Sequence, residues 1–277
     1  MKKYIIFTAL AAGLLVGFIV LLYPAVSDYI NSQSQSRVVA EYADDIADMS
    51  VSKKQSMLEE AHEYNENLPY NENRFDFTDE DWTQYKGLLN TGRGVMGILA
   101  IDKIDVKLPI YHGTEDGVLE VGLGHMQGTS LPVGGIGTHA CITGHRGLPS
   151  STLLSELDRM KKGDTFILYI MGEILTYQVD QVETVLPHDV KALEVDPAMD
   201  YCTLITCTPY GVNTHRLLVR GHRIENAAAG WENLRADARW LDKILIILIF
   251  MIPVLPVLMI YFIIKCVKIK KGGAAQS

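Results

Sequence analysis

The chain has little cysteine, four among 277 residues, and those four are not spaced as a scaffold. It contains no Cys-x-x-Cys and no His-Glu-x-x-His, which excludes the common zinc and dithiol motifs. His139 and His145 lack a third ligand at recognisable spacing, so no metal and no other cofactor is expected. Gly134-Gly-Ile-Gly137 is not followed by Gly-Lys-Ser/Thr and has no strand-loop-helix unit around it, so it reads as a turn and not a phosphate loop. Positive charge is also in short supply: 25 Lys and Arg stand against 33 Asp and Glu, a net charge of −8. Several of the lysines sit at the chain ends (Lys2, Lys3, Lys265, Lys268, Lys270, Lys271), leaving the middle more acidic still and arguing against nucleic acid as a partner.

Long uncharged runs are present at both ends. Tyr4 to Tyr23 follows Lys2 and Lys3, and Ile244 to Ile264 precedes the four tail lysines. Roughly 20 apolar residues suffice to cross a bilayer, so each run is expected to span a membrane. No small-x-small cleavage site follows the first run directly, which favours a retained anchor. The flanking lysines place both termini in the cytoplasm and the intervening chain outside. The expected organisation is an anchor over 1–31, a helical segment over 32–68, a candidate lid and linker over 69–90, a catalytic domain over 91–226, a linker over 227–243, a span over 244–264 and a basic tail over 265–277.

Ser36 to Asn67 lacks proline and glycine and is rich in helix formers, predicting one or two amphipathic helices. Val39, Tyr42, Ile46 and Met49 recur at three- and four-residue spacing, a stripe that faces a core. Pro69 to Glu80 has no period and reads as a loop, and Thr78 with the acids after it can cap a helix. From Val95 the chain breaks into short β-branched and apolar runs over about 95–101, 106–111, 139–145, 164–170, 174–184, 201–207 and 215–222. Short helices are expected over 115–120 and 151–160, the latter capped by Ser150 or Ser151. The pattern is mainly β, a closed barrel with short helices.

Chemistry concentrates near Cys207. Cys202 to Thr206 is a strand-like run stopped by Pro209 and Gly211, so Cys207 stands at a strand end. Thr214 to Gly221 is the next strand-like run, with Arg216, Leu218 and Arg220 on one face. A hairpin would set Arg216 beside Cys207, whereas Arg220 lies two pleats of about 7 Å farther along. A cation beside a thiol suits a nucleophilic thiolate. His145, closing the run from His139 to Thr143 before the Gly147 and Pro149 turn, is the acid/base candidate. His112 and His215 read as structural, and Cys141 and Cys202 as strand packing. Cys202 and Cys207 are five apart and face opposite ways on a regular strand, so they do not bridge.

These residues resemble the sortase family, which has Thr-Leu-x-Thr-Cys, a histidine in a strand-end loop and an arginine one strand later. Cys207 matches the family's nucleophile, His145 the histidine of Gly-His-Arg-Gly, and Arg216 the arginine of Asn-Thr-His-Arg-Leu-Leu-Val-Arg-Gly. Leu108-Pro-Ile-Tyr-His-Gly-Thr114 and Cys-Thr-Pro-Tyr-Gly fit the class C, pilin-polymerising branch. The resemblance implies a sortase-type β-barrel and a membrane-held, extracellular transpeptidase of a Gram-positive cell. Its substrates would be pilin or surface proteins bearing a Leu-Pro-x-Thr-Gly-like signal. The acceptor amine would be a pilin lysine, with a peptidoglycan amine as the housekeeping alternative and a non-enzymatic binding protein as the more distant one. Class C members carry an Asp-Pro-aromatic triplet in a lid, and this chain departs from it: the nearest match is Asp81-Trp82, with no proline between.

Overall fold

The computed structural model describes residues 2–70 and 74–226, with side chains at 13, 14, 16–69 and 74–226. Four helices precede or punctuate eight strands: α1 (Lys2–Asp48), α2 (Val51–Asn67), α3 (Asp79–Gly87), β1 (Val95–Ile101), β2 (Val106–His112), α4 (Asp116–Leu119), β3 (Leu123–His125), β4 (Thr138–Thr143), β5 (Thr165–Ile170), β6 (Glu173–Val185), β7 (Asp200–Thr208) and β8 (His215–Ile224). The strands close a barrel in the order β1-β2-β3-β4-β7-β8-β6-β5, sealed by antiparallel pairing of β5 with β1. Closure leaves no free sheet edge, and the interior fills with aliphatic and aromatic side chains such as Ile98, Ile110, Leu204, Phe166 and Tyr177.

The helical segment packs as its stripe predicts. Val39, Tyr42 and Ile46 are buried, and Met49 lies partly buried against the same core. The Tyr42 hydroxyl donates to the Met96 carbonyl and accepts from the Met171 amide, 3.0 Å each, bolting α1 across β1 and the β5–β6 turn. α1 runs unbroken past residues 31 and 32 and stops at Asp48, where Ser50 caps α2 by accepting from the Lys53 amide. Asn65 of α2 holds Leu131 through both its main-chain groups, at 2.6 and 3.0 Å.

Among the described residues no helix is long and apolar enough to cross a membrane. This corrects the expected membrane placement of the chain with both termini cytoplasmic. Beyond Val26, α1 turns polar at Ser27, Asp28 and Asn31, and from Val39 it packs on the barrel core. The second expected span, 244–264, with its linker and tail, lies outside the described residues.

Two further expectations change. The helix expected over 151–160 condenses to one 3₁₀ turn, Leu157–Arg159. Leu153 adopts a positive φ of 37°, and burial of Leu153, Leu154 and Leu157 in the core outweighs helical regularity. The three-residue β3 was not anticipated: Leu-Gly-His has no alternation of its own and is a strand only because β2 and β4 flank it.

His125 of β3 is fully buried, with Nε2 2.8 Å from the Ser130 carbonyl and Nδ1 2.7 Å from the Tyr85 hydroxyl. A carbonyl only accepts, so Nε2 carries the proton and Nδ1 accepts from Tyr85. Burial pushes the His125 pKa down to about 4. The unfolded chain therefore takes up this proton first, and stability contributed by the neutral ring is intact above about pH 6.5 and lost as pH falls toward 4. The expected loss across that window is about 3 kcal/mol. Urea unfolding at pH 7 and 4.5 checks it, with His125→Gln expected to give the shallower dependence; equal slopes would refute it.

Candidate active site

β7 and β8 build the centre of the site. β7 begins in the barrel wall with buried Cys202, Leu204 and Thr206 alternating inward, and its other face carries Tyr201, Thr203, Ile205 and Cys207. The antiparallel register opposes Cys207 directly to Arg216. Side chains of such a pair share one face, with Cβ atoms roughly 5 Å apart. Arg216 turns its guanidinium onto the carbonyls of Asn213 and His215, at 3.3 and 3.1 Å, so the turn that follows Pro209 and Gly211 also orients it.

β4 brings in the histidine. It pairs with β7 in parallel up to Thr143 opposite Ile205; His145 lies two residues beyond that pair on the one chain, and Cys207 two beyond it on the other. Gly144 extends the contact between them: its amide donates to the Ile205 carbonyl (3.0 Å) and its carbonyl accepts from Thr206 Oγ1 (2.8 Å). A Cβ at Gly144 would meet Leu123 at 2.6 Å and Leu154 at 2.9 Å. The loop beyond is held by the Leu154 amide on the His145 carbonyl, Gly147 on Ser155, and an ion pair between Arg146 and Asp158. Tyr210 of the β7–β8 turn lies over Arg146 and against Gly147, linking the histidine loop to the thiol's own turn. Cys207, His145 and Arg216 are all partly exposed, at the end of β7, just past the end of β4 and at the start of β8.

The remaining thiols differ sharply. Cys141 and Cys202 have no exposed surface; burial pushes the Cys141 thiol up to about 12 and raises Cys202 well above its usual range. All three described cysteines are free. His112 donates from Nε2 to the Leu88 carbonyl at 2.7 Å and is buried, a structural role. Arg220 opposes Thr203, not Cys207; it is bidentate to Asp180 at 3.0 Å and stacks on Tyr201. The Gly134–Gly137 turn is occupied by protein: the Gly135 amide, at φ 118°, donates to the Asp200 carboxylate.

Asp81 and Trp82 have local engagements. Thr78 caps α3, and the Asp81 carboxylate accepts from the Thr78 amide and hydroxyl in a reciprocal capping box. Trp82 packs edge-on against Phe77 and Tyr85 and over Gly113.

Sequence reasoning named the thiol, the imidazole and the guanidinium but missed what fastens them. Thr206 and Tyr210 stand inside the quoted motifs, but their partners Gly144, Arg146 and Gly147 come from the far side of the β4–β7 parallel register, a long-range pairing.

A sortase-domain family model matches residues 99–224. Sortase C1 from Streptococcus agalactiae is 45% identical, covering 69% of this chain and 100% of that one, with a TM-score of 0.66. Sortase C from Streptococcus pneumoniae is 41% identical over 70% of this chain and 99% of that one, with a TM-score of 0.63. Sortase A from Streptococcus agalactiae serotype III is 32% identical over 117 residues, 41% of this chain and 47% of that protein, so the chain spans about half the length of this relative. Fold, register and these likenesses agree that the chain belongs to the sortase family of cysteine transpeptidases, on its class C branch.

Proposed function

We propose that this protein cleaves a Leu-Pro-x-Thr-Gly-like signal between Thr and Gly and joins the new Thr carbonyl to a lysine amine of a pilin. The observation that carries the reading is the opposed pair Cys207–Arg216, and the parallel pairing of β4 with β7, which His145 follows by two residues, supports it. The Cys207 thiolate attacks the Thr carbonyl carbon, and the carbonyl electrons move to oxygen. Arg216 faces that oxygen and opposes its charge. Collapse breaks the C–N bond, His145 supplies a proton to the departing glycine amine, and a thioester on Cys207 remains. An incoming amine attacks the thioester, gives its proton to His145, and expels the thiolate. Two structural neighbours support pilin as the protein class: a Streptococcus pneumoniae sortase C described for its pilin substrate specificity, and a pilus-related sortase C of Group B Streptococcus.

The test is ligation by the full chain. A Leu-Pro-x-Thr-Gly peptide incubated with a lysine-bearing pilin domain is expected to yield the Thr–lysine isopeptide product by mass spectrometry, with free Gly peptide released in equal amount. Release of Gly peptide without ligation, at saturating amine, would leave a peptidase and refute the transfer to lysine.

A further inference from the structure

We infer that His139 is a positioning residue for substrate recognition: its imidazole fastens the 186–199 connection to β7 and so holds one wall of the groove that leads to Cys207. The inference rests on Cys207 being the nucleophile.

His139 lies on β4 opposite Tyr201 and is 1% exposed. Its Nδ1 is 2.8 Å from the Glu194 carbonyl oxygen and its Nε2 is 2.7 Å from Thr203 Oγ1. The carbonyl only accepts, so Nδ1 carries the proton, and the neutral ring accepts the Thr203 hydroxyl proton at Nε2. Burial lowers the His139 pKa and favours the neutral ring; Arg220 and Arg74 act in the same sense, while the bond to the Glu194 carbonyl and Asp180 oppose them. One tautomer thus satisfies both nitrogens, each with a different element.

The connection needs such a fastening. Between β6 and β7 its own backbone bonds are short turns, Asp189 to Leu186, Leu193 to Val190, Glu194 to Lys191 and Met199 to Asp196. Its far end is tied by the Gly137 amide on the Met199 carbonyl. In the middle, Leu193 inserts into a cluster with Cys141, Val185, Ile205 and Leu218. Ile205 and Leu218 are each two residues from Cys207 and Arg216, on the same face. Glu194, the residue His139 holds, directly follows Leu193. Residues 194–197 then wall a groove of about 670 Å³ whose floor includes Tyr201 and Arg220 and which reaches Val185, the residue opposite Arg216 on β6. The clamp therefore acts on the wall of that groove, and not on the thiol.

The experiment uses the full chain, a Leu-Pro-x-Thr-Gly peptide, and amide hydrogen exchange over 190–195. His139→Ala is expected to raise KM about tenfold with kcat within about twofold, the signature of lost uniform binding, and to speed exchange over 190–195. His139→Asn keeps an N–H donor near the Nδ1 position and is expected to recover both readouts most of the way. A fall in kcat with KM unchanged would place His139 in the chemistry and overturn the inference. So would unchanged KM alongside faster exchange, or an Asn variant no better than Ala. Should His139→Ala fail to fold, His139→Asn and Thr203→Val carry the test: Asn, which keeps the Glu194 bond, must hold KM closer to wild type than a variant without its ring anchor on β7. Wild-type protein that forms no acyl-enzyme would refute the nucleophile reading instead, and exchange over 190–195 would then decide separately whether the clamp exists.

Discussion

Full-length Cys207→Ala will form no covalent adduct with a Leu-Pro-x-Thr-Gly peptide, and its turnover will fall on the order of 10⁴- to 10⁶-fold, the scale of nucleophile removal in acyl-transfer enzymes. The other described thiols cannot substitute. Cys141 and Cys202 have no exposed surface, and burial holds both far from the thiolate form. Cys202 also faces the barrel interior, opposite to Cys207. Mass spectrometry of wild-type protein quenched during turnover should show one peptide acyl group, mapped to the fragment holding Cys207 and absent from the variant. The variant should unfold at nearly the wild-type urea midpoint, because a partly exposed thiol contributes little packing. An adduct that persists in Cys207→Ala, or that maps to Cys141 or Cys202, would refute the assignment.

How much of this site was legible in the sequence depends on the range of each interaction. The β7–β8 hairpin is a local event: β-branched residues up to Thr206, then Pro209 and Gly211, then the alternating run from Thr214, so the Cys207–Arg216 pairing follows from turn chemistry and period two. The capping box of α3 is equally local, with donor and acceptor three residues apart. The stripe Val39, Tyr42 and Ile46 named the buried face of α1 but not the partner it found in β1 and the β5–β6 turn. His145 was named by its motif, yet its place beside Cys207 depends on parallel pairing of β4 with β7 across some 60 residues, which no window of sequence encodes. The same pairing makes His139 a clamp. On the sequence alone it was one of two histidines short of a metal ligand, because its partners, Glu194 and Thr203, come from a distant connection and a neighbouring strand.

Arg216→Lys is the second large effect, and it separates charge from geometry. Both side chains are cationic, but the guanidinium is a planar fork with five donors, and the ammonium is a point charge on a flexible stem. In this fold Arg216 spends Nη1 hydrogens on the Asn213 and His215 carbonyls, which fixes the plane of the fork while leaving other N–H groups to face the substrate. A lysine can make the turn contacts or reach over Cys207, but not both at once. The expected cost is about 10²- to 10³-fold in kcat, some 3 to 4 kcal/mol of barrier, the range measured when a single oxyanion donor is lost. Single-turnover acylation should slow by the same factor, because the lost contact forms as charge develops on the carbonyl oxygen and contributes less to the ground state. Arg220→Lys is the control. It lies on the same face but is bidentate to Asp180 and stacked on Tyr201, so its replacement should lower stability while leaving acylation within about threefold of wild type. Wild-type acylation in Arg216→Lys would leave Arg216 a structural turn residue. An equal loss in both variants would mean that the field of the β8 face, and not the residue opposed to Cys207, serves the transition state.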